Sequence, residues 1–328
     1  MAVLGIESSA HTFGVGVSEN GKLLANVKCM YKITDKGMIP SRVAEFHAGN
    51  AKAVIKEALE ASGLSISDIE AVSYTKGPGL GPCLRIGQLS AMTLAETLNI
   101  PVYPVNHAIG HIQIAAHLSG MKDPLAIYVS GGNSQILGVA EEFKGVKRYH
   151  IYGETLDIGL GNMIDNFARA AKLNPAWGST VAEVAEGGKY IQMPYTVKGM
   201  DFTFTGLLTN AVKALSSNSV KDVAYSLQET AFSMVVEASE RALLLSGKQG
   251  VILCGGVAQS KRLKEMLNEM SGSHGQRFFV ALNEYNADNG AMIAYVGELM
   301  HKHGSKPKSS ELVVKQRYRI DEVELQWL

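Results

Sequence analysis

Leu125-Ala126-Ile127-Tyr128-Val129-Ser130-Gly131-Gly132-Asn133-Ser134-Gln135-Ile136-Leu137-Gly138-Val139 reads as an apolar strand (Leu125 to Val129), a polar turn (Ser130 to Ser134) and a second strand (Gln135 to Val139). A third strand follows at Tyr149 to Tyr152. About 120 residues earlier the same grammar occurs. Val3 to Gly5 is apolar and runs into the polar turn Glu7-Ser8-Ser9-Ala10-His11-Thr12. Alternating Phe13, Val15 and Val17 make the next strand, and Leu23 to Met30 the third, after Glu19-Asn20-Gly21.

The two halves continue alike. A helix-period stretch (Ala48 to Ser62) precedes the strand Ile69 to Tyr74, which ends in Gly77-Pro78-Gly79-Leu80-Gly81-Pro82 and opens a helix near Leu84. In the second half a helix (Ser226 to Ser246) precedes the strand Val251 to Cys254, the loop Gly255-Gly256-Val257-Ala258 and a helix from about Ser260. A hairpin-led sheet with crossover helices, occurring twice, predicts an α/β protein of two similar domains around a central cleft. The first spans residues 1–124, joined by the C-terminal helix and tail (about 290–328), and the second spans 125–289. This pattern resembles the duplicated fold of the actin-like ATPase superfamily. The polar turn after each first strand (Ser8, Ser9 and His11; Ser130 to Asn133) offers backbone N–H groups that cradle phosphate.

The chain has 328 residues, long for a single core, and its 46% hydrophobic and 19% charged content is that of a globular protein. Three scattered cysteines (Cys29, Cys83, Cys254) argue against a disulfide framework and for a reducing compartment, with buried small apolar residues as the plainer role. The first residues lack the basic start of a signal peptide, and no stretch reaches the roughly 20 apolar residues of a membrane span. A cytoplasmic location is the expectation. Lys plus Arg and Asp plus Glu are both 31, so a nucleic-acid partner has to be met by a local basic patch or by other subunits. The richest patch is C-terminal (Lys302, Lys306, Lys308, Lys315, Arg317, Arg319), where a solvated tail is the favoured reading.

Pro104-Val105-Asn106-His107-Ala108-Ile109-Gly110-His111 places two histidines at i and i+4, on one face of a helix. Two imidazoles so spaced suit one divalent ion, and two unrelated helix histidines are the competing reading. His117 lies off that stripe. A zincin protease needs Glu directly after the first His, and Ala108 stands there, so a peptidase is excluded. Asp288, before the helix Gly290 to Lys302, is the candidate third ligand, with a helix N-cap as its alternative use. Imidazole with carboxylate suits iron or zinc without separating them.

These residues converge on a family. Gly5-Ile6-Glu7-Ser8-Ser9-Ala10-His11-Thr12, Gly77-Pro78-Gly79-Leu80 with Leu84-Arg85-Ile86-Gly87, Asn106-His107 with Gly110-His111, Tyr128-Val129-Ser130-Gly131-Gly132-Asn133, Gly153-Glu154-Thr155-Leu156-Asp157-Ile158 and Asp288-Asn289-Gly290-Ala291 together resemble the Kae/TsaD/Qri family of tRNA threonylcarbamoyltransferases. The details resemble its archaeal and eukaryotic branch, the catalytic subunit of the KEOPS complex. The resemblance implies transfer of threonylcarbamoyl from threonylcarbamoyl-AMP to the adenosine next to the anticodon of ANN-decoding tRNAs.

It further implies one iron or zinc ion on His107, His111 and Asp288, with Tyr128 as a further oxygen donor. An ATP- or AMP-type nucleotide, or the adenylate itself, would be held by residues Tyr128, Val129, Ser130, Gly131, Gly132, Asn133, Asp165, Gly178, Gly255, Gly256 and Ser260. Implied partners are tRNA and the other KEOPS subunits: a small RIO-type kinase, a dimerising small subunit and a kinase-activating subunit. No membrane is implied, and no side chain stands out as a covalent nucleophile.

The chain departs from the family pattern at the adenosine end. The usual Pro-Gly-Gly-Pro run followed by Glu reads Asn174-Pro175-Ala176-Trp177-Gly178-Ser179-Thr180, with Ala182 about where the Glu belongs and Glu183 beside it. Ser260 stands for the usual Asn. Each change loses or shortens a hydrogen-bonding group worth about 1 kcal/mol. They motivate two alternatives: a non-catalytic nucleotide-binding scaffold of the same complex, and a small-molecule kinase of the actin-like superfamily.

Overall fold

A computed structural model describes residues 1–32, 38–140 and 146–328. The chain forms two compact units, Met1–Ile114 with Ala140–Tyr149 and Ala287–Leu328, and Ala115–Val139 with His150–Asn286.

In the first unit, β1 (Ala2–Glu7), β2 (Thr12–Glu19), β3 (Lys22–Met30), β4 (Ile69–Gly77) and β5 (Val102–Asn106) form one sheet in the order β3-β2-β1-β4-β5. β1, β2 and β3 are antiparallel neighbours, whereas β1, β4 and β5 run parallel. α1 (Pro40–Ser62) and α2 (Gly81–Leu98) make the crossovers, and α3 (His107–Ser119) starts directly after β5. Parallel pairs need such crossovers, which is why helices alternate with the later strands. Leu4, Ile6, Phe13, Val15, Val17 and Val72 are buried at its core.

The second unit repeats this plan. β6 (Leu125–Val129), β7 (Ser134–Val139), β8 (Tyr149–Glu154), β11 (Val251–Cys254) and β12 (Phe278–Val280) lie in the order β12-β11-β6-β7-β8, the same topology strand for strand. Between β8 and β11 come α4 (Leu160–Ala170), α5 (Gly178–Ala185), the short pair β9 (Val197–Lys198) and β10 (Asp201–Phe202), α6 (Thr205–Ala214) and α7 (Val220–Ser246). α8 (Lys261–Ser273) follows β11, and α9 (Asn283–Asn286) follows β12. The core here is built from Leu125, Ile127, Phe167, Phe202, Phe204 and Phe232 with the buried face of α7. Among the described residues no helix is long and apolar enough to cross a membrane.

α10 (Gly290–Lys302) returns to the first sheet and lies on it unusually closely. A methyl group on Gly5 would meet the Ala294 nitrogen at 2.0 Å, one on Gly16 the Ala291 nitrogen at 2.3 Å, and one on Gly290 the Gly16 nitrogen at 2.2 Å. Glycines on both partners therefore set this distance, because any Cβ would hold the two backbones apart. The packing places the start of α10 beside the ends of the strands.

The C-terminal segment differs from the favoured expectation of a solvated tail. Ile320, Leu325 and Trp327 are buried. The Lys315 amide donates to the Lys76 carbonyl (2.8 Å), the Gly79 amide to the Gln316 carbonyl (3.2 Å) and the Leu325 amide to the Lys147 carbonyl (2.8 Å). Lys315 pairs with Glu322, and Arg319 with Asp321 at 3.0 Å. Apolar residues that follow the cations dock the end of the tail, an effect that charge counting overlooks. All six cations of the patch (Lys302, Lys306, Lys308, Lys315, Arg317 and Arg319) are exposed, as the solvated reading expects of the charges themselves.

Candidate metal centre and nucleotide site

β5 ends in Asn106, whose side-chain oxygen accepts from the Ala108 and Ile109 amides at 3.0 and 3.3 Å and so caps α3. Its amide nitrogen donates to the Tyr318 carbonyl at 3.1 Å, tying the cap to the docked tail. The helix therefore begins on His107, and His111 falls one turn later on the same face. Both are buried, at 7% and 1% exposure, so the pair is an inward polar feature rather than a solvated one. Gly110 faces α10, where a methyl group would come within 3.1 Å of the Met292 side chain.

Asp288 precedes α10, and the alternative use considered for it is taken by its neighbour. Asn289 is the N-cap, its side chain accepting from the Met292 amide at 2.9 Å. The Asp288 carboxylate is thereby left to the histidines. Its Oδ1 lies 3.5 Å from His107 Nε2 and 3.4 Å from His111 Nε2, and one ligand atom from each residue lies within 4.8 Å of the others. Two ligand atoms each about 2.1 Å from an ion, at a tetrahedral angle, are about 3.4 Å apart. The donor set, and the spacing of Asp288 Oδ1 to each imidazole, fit one ion of the iron or zinc kind. His117 is exposed and takes no part.

A fourth group, unassigned from the sequence, completes the cluster. Glu7, the last residue of β1, is fully buried, and its Oε2 lies 3.0 Å from His107 Nδ1. Thr75 Oγ1 donates to Oε2 at 2.6 Å, and the Ser9 amide to Oε1 at 2.6 Å. Burial pulls the Glu7 carboxyl upward, but His107 outweighs it and the net direction is down. Asp288 is likewise raised by burial and, on balance, lowered by His107 and His111. Burial lowers His107, yet Glu7 and Asp288 carry it up to about 9, while burial holds His111 below the usual imidazole range. A cation held at this imidazole would have to take the place of that proton.

The first polar turn already uses one of its amides. The Ser8 hydroxyl is buried against Gly87, where a methyl group would lie 2.1 Å away, and it has no hydrogen-bond partner among the described residues. The Ser9 amide is committed to Glu7, and its carbonyl accepts from Leu80 at 2.7 Å. The His11 carbonyl accepts from the Tyr31 amide at 2.9 Å. The Ser9 amide is thus used within the turn, while the Ser8 hydroxyl is a buried donor. Sequence cannot show where an amide proton is already used.

In the second unit β6 and β11 are parallel neighbours, Tyr128 opposite Cys254, and both run into glycine loops at their carboxyl ends. In open α/β sheets that is where ligands bind. Ser130 closes its turn by accepting from the Asn133 amide at 3.1 Å. The start of α4 packs onto that turn: the Gly161 amide donates to the Ser130 carbonyl (3.1 Å) and the Asn162 amide to the Gly131 carbonyl (2.9 Å). Gly255, at φ +94°, is pressed on the Val129 carbonyl and the Tyr128 ring. Gly131, Gly132 and Gly256 remain exposed. Val129 is buried.

One helical turn further along α4, burial raises the half-buried Asp165 carboxyl, while Arg169 and a bond from the Gly178 amide oppose this. Gly178 also sits against Ile164. Residues 130–133, 165, 178 and 255–256, widely separated in sequence, are therefore adjoining in this unit. Ser260 is different: its hydroxyl is the N-cap of α8, accepting from the Leu263 amide. Glu183 is exposed on α5, and Trp177, the residue before that helix, is 54% exposed.

Among solved structures, the chain resembles component A of the (R)-2-hydroxyglutaryl-CoA dehydratase of Acidaminococcus fermentans (TM-score 0.56, 15% identity, 90% of this chain and 97% of the other). It also resembles full-length HypF in its phosphate- and nucleotide-bound form (TM-score 0.63, 11% identity, 91% of this chain and 46% of the other). These likenesses show the fold alone, a duplicated α/β fold with the same strand order in both sheets. Sequence relatives go further. The description tRNA N6-adenosine threonylcarbamoyltransferase belongs to the family model that matches residues 22–295. Relatives of that name from Ignicoccus hospitalis (47% identical over 334 residues) and Thermococcus kodakarensis (44% over 330 residues) match over 100% of both chains. A probable bifunctional tRNA threonylcarbamoyladenosine biosynthesis protein of Thermoplasma volcanium is 45% identical over 330 residues, and the chain spans 62% of its length. The chain belongs to the tRNA N6-adenosine threonylcarbamoyltransferase family.

Proposed function

We propose that the chain transfers a threonylcarbamoyl group from threonylcarbamoyl-AMP to N6 of the adenosine next to the anticodon of ANN-decoding tRNAs. In that reaction the N6 amine bonds to the carbamoyl carbon, the bond from that carbon to the phosphate oxygen of AMP breaks, AMP departs and the amine loses a proton. The observation that carries the reading is the grouping of His107, His111 and Asp288 in a member of this family. His107, His111 and Asp288 would hold an iron or zinc ion, which would supply a fixed positive charge able to polarise an oxygen of the donor. The exposed amides of Gly131, Gly132 and Gly256 suit the AMP phosphate, and Asp165 suits a ribose hydroxyl.

KEOPS partners belong to the same proposal. A formal net charge of zero gives weak attraction to a polyanion, so other subunits supply part of the tRNA surface. An assay with tRNA and threonylcarbamoyl-AMP tests both points. Substantial transfer is expected with the partner subunits and at least about tenfold less without them. Full activity of the isolated chain would remove the partner requirement. Binding of AMP without any transfer, partners present, would favour the scaffold reading, to which the use of Ser260 as a helix cap lends support.

The exposed Trp177 offsets the lost polar groups of the adenosine wall. Trp177 precedes Gly178, whose amide bonds Asp165, and we infer that its exposed indole stacks on the adenine, a contact worth about 1–3 kcal/mol. Calorimetry should find AMP bound roughly tenfold more weakly by Trp177→Ala and nearly unchanged by Trp177→Phe. Equal affinities in the alanine variant and the wild type would remove the indole from the site.

A further inference from the structure

We propose that Glu7 is the positioning residue of the ion site, fixing the tautomer and orientation of His107, an inference that rests on reading His107, His111 and Asp288 as ion ligands. A buried carboxylate is costly unless donors surround it, and Glu7 has three, from separate parts of the chain. Thr75 holds it from β4, which pairs in parallel with β1. Ser9 holds it from the turn, and His107 meets it from α3.

An ionised carboxylate only accepts hydrogen bonds. Its Oε2, 3.0 Å from His107 Nδ1, therefore requires the proton on that nitrogen. In the neutral ring the lone pair is then on Nε2, the atom that faces Asp288 at 3.5 Å. Without Glu7 the ring could carry its proton on Nε2, where it would block the ion, or turn about its χ2 axis. A carboxylate behind a ligating imidazole also raises its basicity, and loss of such partners costs about 10- to 100-fold in metal affinity.

The remaining oxygen gives the contact a second consequence. Oε1 holds the Ser9 amide, so one carboxylate fixes both an ion ligand and the turn after β1. Any rearrangement that frees the Ser9 amide also loosens the His107 ring.

The test uses the full chain freed of metal. Zinc is titrated in competition with a chromophoric chelator into wild type, Glu7→Gln, Thr75→Val and His107→Ala/His111→Ala. Nitrogen-15 spectra of the imidazoles are recorded on the metal-free proteins above the pH at which His107 loses its extra proton. The near-isosteric amide of Glu7→Gln must set an N–H donor against one of the three donors. The expected result is a zinc Kd raised about 10- to 100-fold, with His107 passing from one tautomer to a mixture. Thr75→Val should shift both readouts in the same direction by less, and it carries the test if Glu7→Gln does not fold. A purely structural role would lower thermal stability and leave the tautomer unchanged. Folded Glu7→Gln that binds zinc within about twofold of wild type, its His107 still a single tautomer, would overturn the proposal. If the wild type takes up no zinc, the ion reading itself falls, and the tautomer still decides whether Glu7 sets the ring.

Discussion

Replacing His107 and His111 together by alanine yields a folded chain that holds no ion and no longer transfers threonylcarbamoyl to tRNA. The loss is expected to be close to complete, because two of three ligands go at once and a lone carboxylate binds iron or zinc weakly in water. Alanine is the best helix former, and α3 keeps the Asn106 cap, so its backbone has no reason to unwind. Some stability is nonetheless lost, since Glu7 would no longer be paired by His107, at a cost of about 1–3 kcal/mol. Metal analysis, circular dichroism and the transfer assay on one preparation separate these effects. Metal content should fall from about one ion per chain to below about a tenth. Undiminished iron or zinc in the double variant would sink the proposed centre, and retained activity without metal would sink its role.

The second large effect is expected from one methyl group placed away from every ligand. In Gly290→Ala the new Cβ would lie 2.2 Å from both the Gly16 nitrogen and the Val15 carbonyl carbon, far inside contact distance. β2 cannot retreat, because Phe13, Val15 and Val17 are themselves buried. The start of α10 must lift from the sheet and carry Asp288 with it. Overpacking of this kind costs about 1–3 kcal/mol and sometimes more. Displacing a ligand by about 1 Å should also weaken zinc binding at least tenfold. Gly49→Ala is the matched control: nothing lies within 4 Å of its Cβ, and in the middle of α1 it should add about 0.5–1 kcal/mol. Urea titrations and zinc competition on both variants provide the comparison. A Gly290→Ala chain with wild-type stability and zinc affinity would refute this view of how Asp288 is placed.

These two cases show where sequence reading succeeds and where it stops. The duplication was legible, since alternating apolar residues and glycine turns recur at matching places, and the structure returns the same strand order twice. The His107 and His111 pair was legible because helix geometry turns a spacing of four into a shared face. Glu7 was visible in the opening motif, yet nothing local marks it as a partner of a residue 100 positions away. The Ser9 amide looked available because composition records which donors exist and not which are already used. The tail looked solvated because its lysines and arginines outnumber the few apolar residues that dock it.

By itself the sequence determined the fold class, the repeat, the family and the identity of the candidate ligands, because these depend on periodicities and motifs within short windows. The tertiary structure alone decided which groups meet. It released Asp288 from capping by giving that task to Asn289, brought it to both imidazoles, and set a buried carboxylate behind one of them. Such contacts depend on how closely α10 and β4 approach β1, a distance set by glycines on facing elements and by register across the sheet. Neither quantity is carried by any single stretch of chain.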